Sequence, residues 1–193
     1  MSHDRPLVIL DLDNTCICAV EMDELDSVAN PDVFPHVDLD DIYRIYERPG
    51  LQEWLDQLFK DFQVAVWTAA GLTYGLFVIR NFILVKPERE IEFYMWDDHC
   101  SYSYRRTRGQ AKHVKLLQPL YDISKAVLID DNKDVLKQTD DTIDSKYFDV
   151  TCPNAQNDYF LTYALDEINR HMRNKAEKKV MLKDEIQRRL ELE

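Results

Sequence analysis

Three short runs of the chain are apolar without polar alternation: residues 6–10 (PLVIL), 62–67 (FQVAVW) and 126–129 (AVLI). A strand with one wet face alternates, so these runs predict strands buried on both faces, as in a parallel sheet. Between them the apolar positions return at helical spacing, at Leu51, Trp54, Leu55, Leu58 and Phe59 and again over residues 72–83. Alternation of strand and helix predicts an α/β fold, a doubly wound and mostly parallel sheet with right-handed crossovers. Ligands of such sheets bind beyond the C-terminal ends of the strands.

The rest of the pattern is less regular. Residues 19–41 are acidic and rich in turns, with Asn30-Pro31 and Phe34-Pro35, and residues 42–47 (IYRIYE) alternate like a hairpin strand that ends at Arg48-Pro49-Gly50. Residues 88–108 carry many tyrosines and charges and no helical stripe, so they read as a β-rich insert. From Asp158 the pattern is helical to the end. Leu165, Ile168, Met172 and Ala176 form one apolar face; Lys179 breaks it, and Leu182, Ile186 and Leu190 resume a narrower one. The organisation predicted is one domain over residues 1–170 with no large cap, followed by a C-terminal helical extension over 171–193.

Composition sets outer limits. A chain of 193 residues, 45% hydrophobic and 31% charged, suits one soluble α/β domain. The longest apolar-rich stretch, residues 72–85, is too short to span a membrane and is interrupted by Arg80 and Asn81. The N-terminus lacks the features of a secretory signal. Cys16, Cys18, Cys100 and Cys152 form no CxxC pair, which favours reduced thiols in a cytoplasmic or nuclear setting. A net charge of −12 repels a nucleic-acid backbone and argues against direct nucleic-acid binding.

Candidate chemistry clusters just after the buried runs. Asp11-Leu12-Asp13-Asn14-Thr15 follows the first. Two carboxylates about 4 Å apart at an effective dielectric near 20 repel by roughly 4 kcal/mol, which a bound cation would relieve. An aspartate attacking phosphorus needs the same cation to bring two anions together. Thr68 ends the second run, where a hydroxyl and the following amides make an oxyanion cradle. Lys115, in Lys112-His113-Val114-Lys115, reads as a lysine at the start of a helix, able to reach phosphate oxygens. Asp130-Asp131-Asn132 ends the third run and suggests a hard cation with oxygen ligands. Taken singly, each has a plain structural reading as a helix cap, a solvated lysine or a solvated turn. Acid pair, Thr, Lys and acid pair in that order, each at a strand end or the next helix start, point together to phosphoryl chemistry.

The order resembles the four motifs of the haloacid dehalogenase superfamily, and within it the C-terminal-domain (CTD) phosphatase and NLI-interacting-factor-like group. DLDNT, RPGLQEWL leading to VAVWTA, and HVKLLQPL leading to VLIDDN carry the closer match, over about residues 5–168. The resemblance implies a Mg2+-dependent phosphoprotein phosphatase with an aspartyl-phosphate intermediate, the RNA polymerase II C-terminal domain being a candidate substrate. It implies that Asp11 is the nucleophile and a metal ligand. Asp13 would be the general acid and base, adding its backbone carbonyl to the metal. Thr68 and Lys115 would hold the phosphoryl oxygens, and Asp130 and Asp131 complete the metal site; the last pair also reads in the register Asp131-Asn132.

The expected partner is a phosphorylated protein segment. Trp96, Tyr102 and Tyr104 offer an aromatic surface for it, with Tyr94 beside them, and Arg105, Arg106 and Arg108 a positive one; the same residues also read as a packed aromatic face with solvated arginines. The chain is expected to be a monomer, its C-terminal helix being the candidate self-association surface. Two other functions fit the sequence: a small-molecule or polynucleotide-end phosphatase of the same superfamily, and a non-catalytic phosphoprotein-binding relative. The second would be expected to lack Asp11 or Asp13, and both are present.

Overall fold

The structure is a computed structural model, which describes residues 5–103, 111–137 and 141–191. Its centre is a five-stranded parallel sheet. β1 (Leu7–Leu10) leads into a three-stranded antiparallel insert made of β2 (Ile17–Glu21), β3 (His36–Leu39) and β4 (Tyr43–Glu47). α1 (Leu51–Asp61) then crosses to β5 (Gln63–Trp67), and α2 (Leu72–Val78) runs on into a π-helical turn over Ile79–Ile83. β6 (Tyr94–Met95) and α3 (Asp97–Ser103) follow, then β7 (Ala126–Asp130), α4 (Lys133–Leu136), β8 (Thr142–Asp144) and the long α5 (Phe160–Leu190). The strand order is β6-β5-β1-β7-β8, every pair parallel, and β2-β4-β3 in the insert.

The continuous apolar runs feed two cores by simple alternation. Val8 and Leu10, Val64 and Val66, and Val127 and Ile129 face one side, where Leu51, Trp54, Leu55 and Leu58 of α1 meet Phe160, Leu161, Ala164 and Ile168 of α5. Leu7 and Ile9, Ala65 and Trp67, and Ala126 and Leu128 face the other side, under Cys100, Val114, Leu117 and Val135. A third cluster, including Cys18, Val20, Phe34, Tyr46, Phe148 and Val150, joins the insert to the loop after β8. The turn into α1 is fixed by Gly50, whose φ of +79° suits glycine, directly after Pro49.

One expectation needs correction. The small β-rich insert is the antiparallel sheet β2-β4-β3 and not the described part of residues 88–108, which holds only the two residues of β6 and then a helix, because Asp97 and Asp98 sit where acids favour a helix N-terminus. The helical pattern from Asp158 is met by α5, which runs unbroken through Lys179, where the apolar face is interrupted. Lys175 donates to the carbonyls of Ile123 and Ala126 and to Asp141, and Lys179 to Ser124. The apolar stripe gives way to lysines because the helix has reached the polar rim of the sheet. Beyond it Val180, Met181, Leu182, Ile186 and Leu190 are exposed. Among the described residues, no helix is long and apolar enough to cross a membrane.

Candidate active site

The turn after β1 is built by the chain folding back on Leu12. Its carbonyl accepts from the amides of Thr15, Cys16 and Ile17, and Asn14 takes φ +58° to close the loop. The turn is anchored by residues far away in sequence. Asn14 exchanges two bonds with Phe148: its side-chain amide donates to the Phe148 carbonyl (2.9 Å), and the Phe148 amide donates to the Asn14 carbonyl (2.8 Å). The Thr15 hydroxyl meets the buried Ser145 hydroxyl at 2.9 Å. Arg48, fully buried between the rings of Phe148 and Phe160, donates to the Thr15 carbonyl and makes two 2.8 Å bonds to Asp158.

This scaffold delivers Asp11 and Asp13 to a pocket of about 590 Å³ at the C-terminal ends of the strands, with Thr68, Lys112, Asp130 and Asp131 also lining it. Asp11 is buried. Its Oδ1 accepts from Lys112 Nζ at 2.5 Å, and the same ammonium reaches Asp130 Oδ2 at 2.7 Å. The second oxygen of Asp130 accepts from the Asn132 amide at 2.8 Å, so both are engaged. Asp131, half-buried, directs Oδ1 toward the Thr15 hydroxyl at 3.5 Å. The carboxylate of Asp13 turns the other way, accepting from the Tyr74 hydroxyl at 2.5 Å. Thr68 is buried; its hydroxyl oxygen accepts from the Ala70 amide at 3.0 Å.

Among the described residues, four carboxylates share this site with one buried ammonium, Lys112, and the exposed Lys133. Burial raises Asp11 well above the usual carboxylate range, with Asp130 and Asp13 adding to it and Lys112 opposing. Burial likewise raises Asp13, against the Tyr74 bond, and raises Asp131, helped by Asp130. Burial opposes the charge on Lys112, but Asp11 and Asp130 outweigh it and the amine is held protonated. The excess of negative charge calls for a cation. One oxygen each from Asp11, Asp130 and Asp131 lies within 4.8 Å of the others, a hard donor set that fits Mg2+. The Asp13 carboxylate is outside that set.

The structure brings together Asp11, Asp13, Thr68, Asp130 and Asp131, and does not bring in Lys115. The reading of Lys115 as the phosphate-holding lysine is corrected: it is exposed on a 3-10 turn over Val114–Leu117, whose Val114 and Leu117 face the core and turn Lys115 outward. Lys112, in the extended segment just before, is the lysine that lines the pocket between Asp11 and Asp130. The three-residue apolar spacing of Val114 and Leu117 was the available signal. Tyr74, on α2, was also missed; nothing in its local sequence sets it apart from a packing tyrosine. Trp96 does not line the pocket; it packs on His99 (4.2 Å between ring centroids) and Tyr94 (5.6 Å), and its indole donates to Asp98. Tyr102 lies in α3, its side chain outside the description, and Tyr104, Arg105, Arg106 and Arg108 lie outside the described residues.

Comparison with known proteins agrees with the motifs. The family described as NLI interacting factor-like phosphatase matches residues 6–180. The chain is 39% identical over 170 residues to the CTD phosphatase-like protein 355R of Invertebrate iridescent virus 3, covering 81% of this chain and 91% of that protein. It is 35% identical over 179 residues to 355R of Invertebrate iridescent virus 6, covering 86% and 98%. Among solved structures, the RNA polymerase II CTD phosphatase Fcp1 superposes with a TM-score of 0.59 at 22% identity, over 93% of this chain and 54% of that one. The fission yeast Fcp1 bound to beryllium fluoride gives 0.60 at 22%, over 94% and 56%. This chain therefore spans little more than half of those two and shares their fold.

Proposed function

This chain belongs to the NLI interacting factor-like phosphatase family, of haloacid dehalogenase type, and from that premise we propose that it is a Mg2+-dependent phosphatase of phosphoserine and phosphothreonine in protein segments. The reading rests on one observation above all: a buried ammonium, Lys112, bridges Asp11 and Asp130 on the pocket floor while Asp13 is held two residues from Asp11. That is the arrangement a nucleophilic carboxylate and a separate proton-transfer group require.

Each residue then has a task. The Asp11 carboxylate forms a bond to phosphorus as the ester P–O bond breaks, and Asp13 gives the departing oxygen a proton. Asp13 next takes a proton from the water that hydrolyses the aspartyl-phosphate. Lys112 carries three N–H donors; two go to Asp11 and Asp130, which leaves one for a phosphoryl oxygen. The Thr68 hydroxyl, which accepts from the Ala70 amide and donates toward the Asp13 carboxylate, would turn its proton to a second when phosphate is bound. Asp11, Asp130 and Asp131, with the Asp13 carbonyl, would hold Mg2+, the Asp130 carboxylate being oriented by Lys112 and the Asn132 amide. Bound there, the ion supplies charge screening between the two reacting anions.

The protein-segment substrate is favoured by the lack of a cap domain over the pocket among the described residues, and by the relatives, the viral ones named CTD phosphatase-like and the fission yeast one an RNA polymerase II CTD phosphatase. Buried, unpaired Cys16, Cys18 and Cys100 suit a reducing cytoplasmic or nuclear setting. The test is phosphate release from p-nitrophenyl phosphate and from Ser-Pro phosphopeptides, with and without Mg2+, beside Asp11→Asn and Asp13→Asn. Release that persists in Asp11→Asn or under chelation would overturn the reading.

A further inference from the structure

The carboxylate of Asp13 is not left to choose its own rotamer. Its Oδ1 accepts from Tyr74 Oη at 2.5 Å, a bond between the turn after β1 and the first turn of α2, 61 residues apart. Tyr74 is itself placed from two sides. Its ring meets Tyr43 of β4 edge-on, with centroids 6.1 Å apart and planes at 78°. The next residue, Gly75, lets α2 lie against Tyr94: a Cβ at Gly75 would sit 1.8 Å from the Tyr94 hydroxyl oxygen, which is bonded to the Leu72 carbonyl at 3.4 Å. The insert and the β6 edge thus set α2, and α2 sets Asp13.

We propose that Tyr74 is a positioning residue that, beside Thr68, fixes the rotamer of Asp13, so that with Oδ1 tied the carboxyl group is aimed to exchange protons with the leaving oxygen and the attacking water. The proposal rests on the assignment of Asp13 as general acid. In the first step the bond from Asp11 to phosphorus forms, the bond from phosphorus to the leaving oxygen breaks, and that oxygen's electron pair takes the proton from Asp13. An unrestrained Asp13 would spend part of its time in rotamers that cannot reach the leaving oxygen. The loss must then scale with how much the leaving group needs the proton.

That dependence supplies the test. p-Nitrophenoxide departs with little help, whereas phenoxide needs protonation. The ratio of kcat/KM for p-nitrophenyl phosphate to that for phenyl phosphate reports the acid, because both esters offer the same phosphate and a similar ring. General acid catalysis contributes on the order of 10²–10⁴-fold; Asp13→Asn should raise the ratio by about that scale, and Tyr74→Phe by about tenfold or more. Tyr74→Phe keeps the ring against Tyr43 and removes only the hydroxyl, and its thermal melt is compared with the wild type. Tyr74→Leu also removes the ring and should show a similar ratio. An unchanged ratio in Tyr74→Phe, or a rise only in Tyr74→Leu, makes Tyr74 a packing residue and overturns the proposal. An unchanged ratio in Asp13→Asn instead removes the acid assignment beneath it.

Discussion

Replacing Lys112 by methionine keeps the length and volume of the side chain and deletes its charge. At 2.5 and 2.7 Å from Asp11 and Asp130, and at an effective dielectric near 20, each attraction is about 6 kcal/mol. Burying the ammonium costs several kcal/mol in return. Breaking a buried pair by removing one partner costs about 3–5 kcal/mol, because the other charge is left uncompensated, and that is the loss expected here at pH 7 without metal. With the ammonium gone, burial and the negative charge of Asp130 both raise the Asp11 pKa in the folded state without the opposition of Lys112. A folded-state pKa above the unfolded value means the folded state binds protons more tightly, so stability rises as pH falls. The deficit should therefore shrink between pH 7 and pH 5. Urea unfolding followed by tryptophan fluorescence measures it, and kcat/KM should fall by about 10²–10³-fold through lost transition-state stabilisation. Lys115→Met, on the exposed turn, should stay within about 0.5 kcal/mol of the wild type. A Lys112→Met protein as stable as the wild type, or a loss of activity in Lys115→Met instead, would refute the argument.

Three further outcomes follow from the geometry. Mg2+ should raise the melting temperature by binding the folded state, by RT ln(1 + [Mg2+]/Kd), and Asp131→Asn should need more Mg2+ for the same shift; equal titration curves would remove Asp131 from the metal site. Gly75→Ala should destabilise by about 1–3 kcal/mol through overpacking on Tyr94; in a Tyr94→Ala background the same change should become stabilising, by up to about 1 kcal/mol of helix propensity, and a sign that fails to reverse would show that Tyr94 is not what limits the position. A chain ending at Val180 should melt close to the full chain and sediment as a monomer, whereas one ending at Asn174 loses the three Lys175 bonds and should melt lower; equal melting of the two would contradict the anchoring role of Lys175.

What was legible in the chain was whatever depends on local pattern. β1, β5 and β7 were readable because strands covered on both faces cannot alternate, and α1 because Leu51, Trp54, Leu55 and Leu58 keep helical spacing. β6 and β8 were not readable. They are edge strands of two and three residues whose pairing comes from the neighbour already in place, Val66 and Trp67 for one and residues 128–130 for the other. The segment between β5 and β7 misled for a related reason: its tyrosines and charges report exposure and leave backbone conformation open, and α3 is decided by Asp97 and Asp98 at its start.

The candidate site divides along the same line. Asp11, Asp13, Thr68 and Asp130 could be named because each sits at the end of a strand that announces itself. The partners that set their charge and direction could not be named so easily. Lys112 is 101 residues from Asp11 and 18 from Asp130, and a lysine in an irregular segment looks solvated until two buried carboxylates are known to converge on it. Tyr74, Arg48 and Ser145 likewise act across 61, 33 and 130 residues. A carboxylate motif at a strand end therefore identifies the reacting group, while its protonation, metal affinity and rotamer are set by residues chosen by topology. Substitutions at those distant partners should accordingly change how the reaction runs more than whether the phosphate is recognised, and a KM that rises as much as kcat falls in Tyr74→Phe would run against that division.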